Sequence, residues 1–160
     1  MFNRDILIKN FQFKKKRKSE KKILNIFKKL LEEKNEIIKS LTNNYRNSYS
    51  KNFLSKFKNI NVVFIIGMGG SILGSRAIYN FLMPIRKKFF FIDSFHQKPN
   101  PDKKRLNIVI SKSGNTLETI SNANVLLEKK QKNIFITENK KSYLFNLAKK
   151  LKSEIIHHNN

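Results

Sequence analysis

From Asn61 onward, short apolar runs alternate with stretches in which apolar residues recur every three or four positions. Five runs read as β-strands: Val62–Ile66, Phe89–Asp93, Leu106–Ile110, Asn133–Thr137 and Glu154–His157. They are almost unbroken in hydrophobicity. Strands buried on both sides need this, because successive side chains point to opposite faces of a sheet. The spacing between the runs predicts helices near Ser71–Leu82, Thr116–Lys130 and Ser142–Leu151, whereas Ser94–Arg105, with Pro99 and Pro101, reads as a loop. Such alternation predicts an α/β fold: a five-stranded parallel sheet covered by helices on both faces. In the flavodoxin-like order 2-1-3-4-5, the turns after the first and third strands meet at the topological switch point.

The chain ahead of this region has a helical pattern only. Ile23, Phe27, Leu30, Leu31, Ile37, Ile38 and Leu41 mark one face of an amphipathic helix over Ser19–Leu41, with Ser19 as its N-cap and Thr42-Asn43-Asn44 as its end. A second, short helix is expected over Ser50–Lys58, with Phe53, Leu54 and Phe57 facing inward. Residues 1–18 show no clear period. The expected organisation is a helical extension over residues 1–59 and one α/β domain over residues 60–160.

Composition narrows the field. At 160 residues, 39% hydrophobic and with 14 Phe, the chain can bury a core. It has no Cys, which excludes disulfides and thiolate metal sites and fits a reducing compartment. Its first residues lack the apolar stretch of a secretory leader, and its apolar runs fall far short of the roughly 20 residues that span a bilayer. A cytoplasmic chain with no membrane partner is therefore expected. The formal net charge of +23 raises nucleic-acid binding. Apart from the block Lys14-Lys15-Lys16-Arg17-Lys18, however, the charge is spread as pairs such as Lys28-Lys29, Lys87-Lys88, Lys129-Lys130 and Lys149-Lys150. Lys, Asn, Ile and Phe are abundant together and share A/T-rich codons, so the charge reads as compositional bias, and no nucleic-acid partner is expected.

The chemistry sits in two turns: Gly67-Met68-Gly69-Gly70-Ser71-Ile72-Leu73-Gly74 after the first strand, and Ser111-Lys112-Ser113-Gly114-Asn115-Thr116-Leu117-Glu118-Thr119 after the third. Small residues let backbone N–H groups approach an anion, hydroxyls add donors, and helix N-termini add partial positive charge. A dinucleotide fingerprint would need Gly where Ile72 stands, and Asp93 alone does not make a ribose site. A P-loop would need Lys-Ser/Thr where Ser75-Arg76 stands. Taken singly, the first turn could be glycine-rich only for close helix packing, and the second an ordinary cap by Ser113 or Asn115. Placed together at the switch point, they read as a ligand crevice. His96 reads as a surface-loop residue. His157 and His158, adjacent at a strand end, point to opposite faces and read as a polar terminus.

The first turn resembles the G-[IM]-G-G-S-x-L-G signature of the glucose-6-phosphate isomerase family, and the second its S-K-[ST]-x-[TN]-T-x-E-T loop. That family has the sugar-isomerase (SIS) fold, a three-layer α/β sandwich, and the resemblance covers roughly residues 60–160. It implies a sugar phosphate as ligand, interconversion of glucose 6-phosphate and fructose 6-phosphate, no metal or organic cofactor, and a homodimer as the whole protein. It also implies that the Gly70 backbone, the Ser71 hydroxyl and the loop Ser111, Lys112, Ser113, Gly114, Asn115 and Thr116 wrap the phosphate. Asn115 stands where the family often has Thr. The Glu base, His, Lys and Gly-Gly-Arg arginine that the family uses to move a proton between C1 and C2 all lie downstream of this region. The expectation is therefore an N-terminal fragment with phosphate loops and no catalytic residue. Two other readings are a bifunctional phosphoglucose/phosphomannose isomerase and a non-catalytic sugar-phosphate-binding module. Leu73-Gly74 and Ser111-Lys112 favour the first family over the bifunctional one, and residues 1–60 lack the helix-turn-helix that sensor modules usually carry.

Overall fold

Every apolar run is a strand in the computed structural model, which describes residues 17–33, 36–40, 45–95 and 104–157. β1 (Val62–Gly67), β2 (Lys88–Ile92), β3 (Arg105–Ile110), β4 (Lys132–Thr137) and β5 (Glu154–His157) each start and end within one residue of the expected limits. All pairs are parallel and the order is β2-β1-β3-β4-β5, as the flavodoxin-like reading predicts. Ile66 lies between Ile92 and Val109 in register, so the central strand is flanked by apolar partners at its core.

Alternation within the runs divides the core in two. Phe64, Ile66, Ile92, Val109 and Phe135 lie on one face with Ala123 of α5 (Leu117–Leu126) and Leu144 and Ala148 of α6 (Tyr143–Lys150). Val63, Ile65, Leu106 and Ile134 face the other way, toward Ile72 of α4 (Gly70–Phe81) and Phe57, just beyond α3 (Lys51–Ser55). The three layers that the α/β pattern requires are thus present.

The helices differ from expectation at their ends. Ser50 caps α3, its Oγ accepting from the Phe53 N–H at 3.1 Å. Phe53 and Phe57 then stack edge-on, 5.3 Å between centroids, and take the inward side, leaving Leu54, expected inside, exposed. α5 stops at Leu126, short of Lys130. The Leu126 carbonyl accepts instead from Arg105 Nη2 at 2.7 Å, and the Glu128 carbonyl from Asn133 Nδ2 at 3.1 Å. These bonds belong to a buried network in which Arg105 Nε donates to Asn107 Oδ1 (3.1 Å) and Asn107 Nδ2 to both Gln131 Oε1 and Asn133 Oδ1 (2.8 Å each). Satisfying those side chains draws the chain out of the helix.

The sheet and its helices form one compact unit from Arg46 onward, and the residues up to Tyr45 form another. In the latter, α1 (Arg17–Glu32) and α2 (Glu36–Ser40) replace the single helix expected over Ser19–Leu41. α1 closes with the Glu33 N–H donating three residues back to Leu30 (3.2 Å), a tightened last turn. Ser19 is inside α1 and is not its cap. The expected break at Thr42-Asn43-Asn44, the loop prolines Pro99 and Pro101, and His96 and His158 lie outside the described residues.

Candidate functional site

β1 and β3 are neighbours in the sheet, yet the helices that follow them cover opposite faces, which opens a gap at the strands' C-terminal ends. At the first turn Gly69 precedes α4 with φ +53° and ψ −128°, a backbone state that L side chains avoid. No side chain caps α4. A Cβ at Gly70 or Gly74 would meet no atom within 4 Å, so helix packing is not what calls for glycine there. Glycine at those positions leaves the start of α4 uncovered.

The second turn is built more tightly. Gly114 has φ +67°, and a Cβ there would overlap the Ser142 side chain at the start of α6. Its carbonyl accepts from the Leu144 N–H (3.1 Å), and Asn115 Oδ1 accepts from the Tyr143 N–H (2.9 Å). The loop is thus fastened to α6 through Gly114 and Asn115. In front of them Ser111 Oγ accepts from the Gly114 N–H and shares a hydrogen bond with Thr116 Oγ1, both at 3.1 Å. Two hydroxyls sharing one bond leave one O–H to donate elsewhere. Ser113 Oγ accepts from the Asn115 N–H at 3.2 Å, which leaves its own proton available. Neither Ser113 nor Asn115 caps α5. Thr116 holds the cap position without a side-chain capping bond. Helix capping therefore does not account for this run of hydroxyls.

The two turns share one crevice. Ser71 from the first turn and Ser111, Lys112, Ser113 and Thr116 from the second line a space of about 690 Å³. Gly70 joins Ser71 and Lys112 around an adjoining hollow of about 270 Å³. Of the eight residues expected at the site, six line these spaces, and Gly114 and Asn115 tie the loop to the start of α6. Sequence reasoning missed Glu138 and Asn139, which complete the lining. They follow β4, the strand beside β3, and their position at a C-terminal strand end was the available signal. Glu138 Oε1 lies 3.7 Å from Lys112 Nζ, with the Glu138 side chain only 18% exposed against 76% for Lys112. Asn139 folds back on itself, its Oδ1 accepting from the Lys141 N–H (2.9 Å) and its carbonyl from Ser142 Oγ (2.7 Å).

Other candidates lie apart from the crevice lining. Asp93 is paired with Arg76 at 2.8 Å, beneath a guanidinium that stacks over Phe91. His157 ends β5 against the Phe145 ring, its Nδ1 buried without a partner. Among the described residues no three His, Cys, Asp or Glu side chains come together as a metal site, and no helix is long and apolar enough to cross a membrane. What the crevice offers is a set of hydroxyl donors, one ammonium and the N-terminal ends of two helices, an arrangement suited to an oxyanion.

A parallel sheet with such a cup at its switch point defines a class, and the sequence agrees: the SIS domain profile matches residues 56–157. The chain belongs to the SIS domain family. Within it, the chain is similar to the glucose-6-phosphate isomerase of Methanocaldococcus jannaschii, 42% identical over 46% of this chain and 21% of that protein. It thus spans about a fifth of that relative's length. Two solved structures share the fold. A hypothetical protein from Thermus thermophilus superposes with a TM-score of 0.57 at 21% identity, over 65% of this chain and 29% of the other. The NanR protein of Vibrio vulnificus, solved with ManNAc-6P, gives 0.52 at 20% identity, over 68% and 41%.

Proposed function

We propose that this chain carries the substrate-phosphate site of a glucose-6-phosphate isomerase, an aldose–ketose isomerase that interconverts glucose 6-phosphate and fructose 6-phosphate. The observation behind the reading is that Ser71 and the trio Ser111, Ser113 and Thr116, supplied by turns remote in sequence, line the same crevice. The Gly70 backbone and Ser71 hydroxyl contact one side of the phosphate. Ser111, Lys112, Ser113, Thr116 and the main chain around Gly114 contact the other, while Asn115 keeps the loop in place. Hydrogen bonds to a charged group contribute about 1.5–3 kcal/mol each, so three or four anchor a dianion firmly.

The phosphate held this way fixes the sugar for proton transfer between C1 and C2, a step assigned to a carboxylate base with a cationic partner for the enediolate. No residue of this chain is given that role, and the reaction as proposed uses no metal or organic cofactor. By the same resemblance, the whole protein acts as a homodimer; the cysteine-free composition fits a reducing compartment such as the cytoplasm.

Thermal denaturation of the chain with glucose 6-phosphate tests the reading. At 100 times Kd the ligand should stabilise the fold by about 2.7 kcal/mol. Ser113→Ala should blunt that shift. A shift that is absent, or unchanged by the substitution, contradicts the assignment.

A further inference from the structure

We propose that Glu138 is the specificity-determining residue of this crevice, its carboxylate accepting hydrogen bonds from the ligand's sugar hydroxyls and so selecting sugar phosphates over inorganic phosphate. The inference rests on the phosphate site proposed above and names what that site selects.

A carboxylate is the wrong charge for an anion cup, and its placement here is not incidental. Glu138 lines both the crevice and the adjoining hollow. Its backbone N–H donates to the Lys112 carbonyl at 3.3 Å, and Thr137 Oγ1 reaches the same carbonyl at 3.4 Å, so the end of β4 is tied to the hydroxyl loop. The Glu138 side chain is 18% exposed and forms part of the wall, whereas Lys112 extends into solvent. Their 3.7 Å separation exceeds the 2.7–2.9 Å typical of a charge-assisted hydrogen bond. The ammonium is therefore only loosely held, and its exposed arm can turn to an arriving phosphate.

With Lys112 turned to the phosphate, acceptor positions of the carboxylate on the crevice wall meet the rest of the ligand. An ionised carboxylate only accepts hydrogen bonds, with room for about four. Inorganic phosphate as a dianion offers it a single P–OH donor beside its like charge. A sugar offers several hydroxyl donors, set away from the charge, which offset the repulsion more fully. Glu138 thus disfavours phosphate alone and favours phosphate carried on a polyol, a distinction that the hydroxyl loop cannot make because it contacts the group common to both ligands.

The test is isothermal titration of the 160-residue chain and its Glu138→Gln and Glu138→Ala variants with glucose 6-phosphate and with inorganic phosphate. The unsubstituted chain should prefer the sugar phosphate. Both variants should bind inorganic phosphate more tightly, and Glu138→Ala should narrow the preference by about tenfold, the scale of one hydrogen bond to a charged group. Equal changes in both affinities would mean that Glu138 contributes only a uniform field and would overturn the inference while leaving the phosphate site intact. Failure of the unsubstituted chain to bind either ligand would instead overturn the phosphate site and the inference with it.

Discussion

Gly114 carries the tightest constraint in the crevice. Its φ of +67° is one an L side chain adopts only with strain, and a Cβ would collide with Ser142 while lying 2.9 Å from Thr137 Oγ1. Gly114→Ala should cost about 3 kcal/mol from the two effects together and lower the melting temperature by roughly 10 °C. A melting temperature within a degree or two of the parent would contradict this account of the loop. The hydroxyls make the complementary case. Ser71→Ala removes a donor without disturbing a buried partner, so stability should hold while affinity for glucose 6-phosphate drops about tenfold, measured by calorimetric titration. At this scale the sequence was readable where residue types cluster: four hydroxyls and several glycines in two short turns mark a site. Glu138 carries no such mark. A single acidic residue after a strand looks like any surface carboxylate until β4 is placed beside β3. Asn115 shows the same limit, because it also accepts from the Tyr143 N–H, a partner that local pattern does not reveal.

Among the elements, strands were more legible than helix ends. An apolar run bounded by polar residues specifies its own limits, whereas a helix ends where some other group takes its carbonyls. α5 is the example: Arg105 and Asn133, distant in sequence, take the carbonyls of Leu126 and Glu128. Within one strand, Arg105 and Asn107 interrupt the apolar pattern of β3, and their burial is made tolerable only by the network they share with Gln131 and Asn133. Asn107→Leu would remove the partner of Arg105 Nε and of the buried Asn133 Oδ1, at about 1–3 kcal/mol for each lost buried bond. The expected outcome is a loss of about 3 kcal/mol in chemical denaturation, with the ligand-induced thermal shift retained. The network lies at the N-terminal ends of the strands and the crevice at their C-terminal ends, so a loss of binding in a folded variant would contradict this separation. The turn between α3 and β1 is held by a different device: Lys87 Nζ donates to the carbonyls of Lys58 and Ile60 at 2.9 and 2.6 Å.

For the molecule as a whole, the order β2-β1-β3-β4-β5 brings two remote turns to one gap, and the site follows from that topology. The order matches the flavodoxin-like one expected for parallel strands joined by right-handed, uncrossed connections. The +23 charge contributed nothing to the fold reading, since its lysines are distributed along the chain. If the proposed division between binding and chemistry is right, the 160-residue chain binds glucose 6-phosphate but forms no fructose 6-phosphate in a coupled assay. Steady turnover by the purified chain would place catalytic groups inside it and refute that division.

The most direct measurement is an amide-resolved NMR titration of the labelled chain with glucose 6-phosphate. Resonances of Gly70–Leu73 and of Ser113–Leu117 should move together and fit a single dissociation constant, because the proposed function puts both sets of N–H groups around one phosphate. Movement of one turn alone, or two unrelated constants, would contradict the shared crevice on which the proposed function depends.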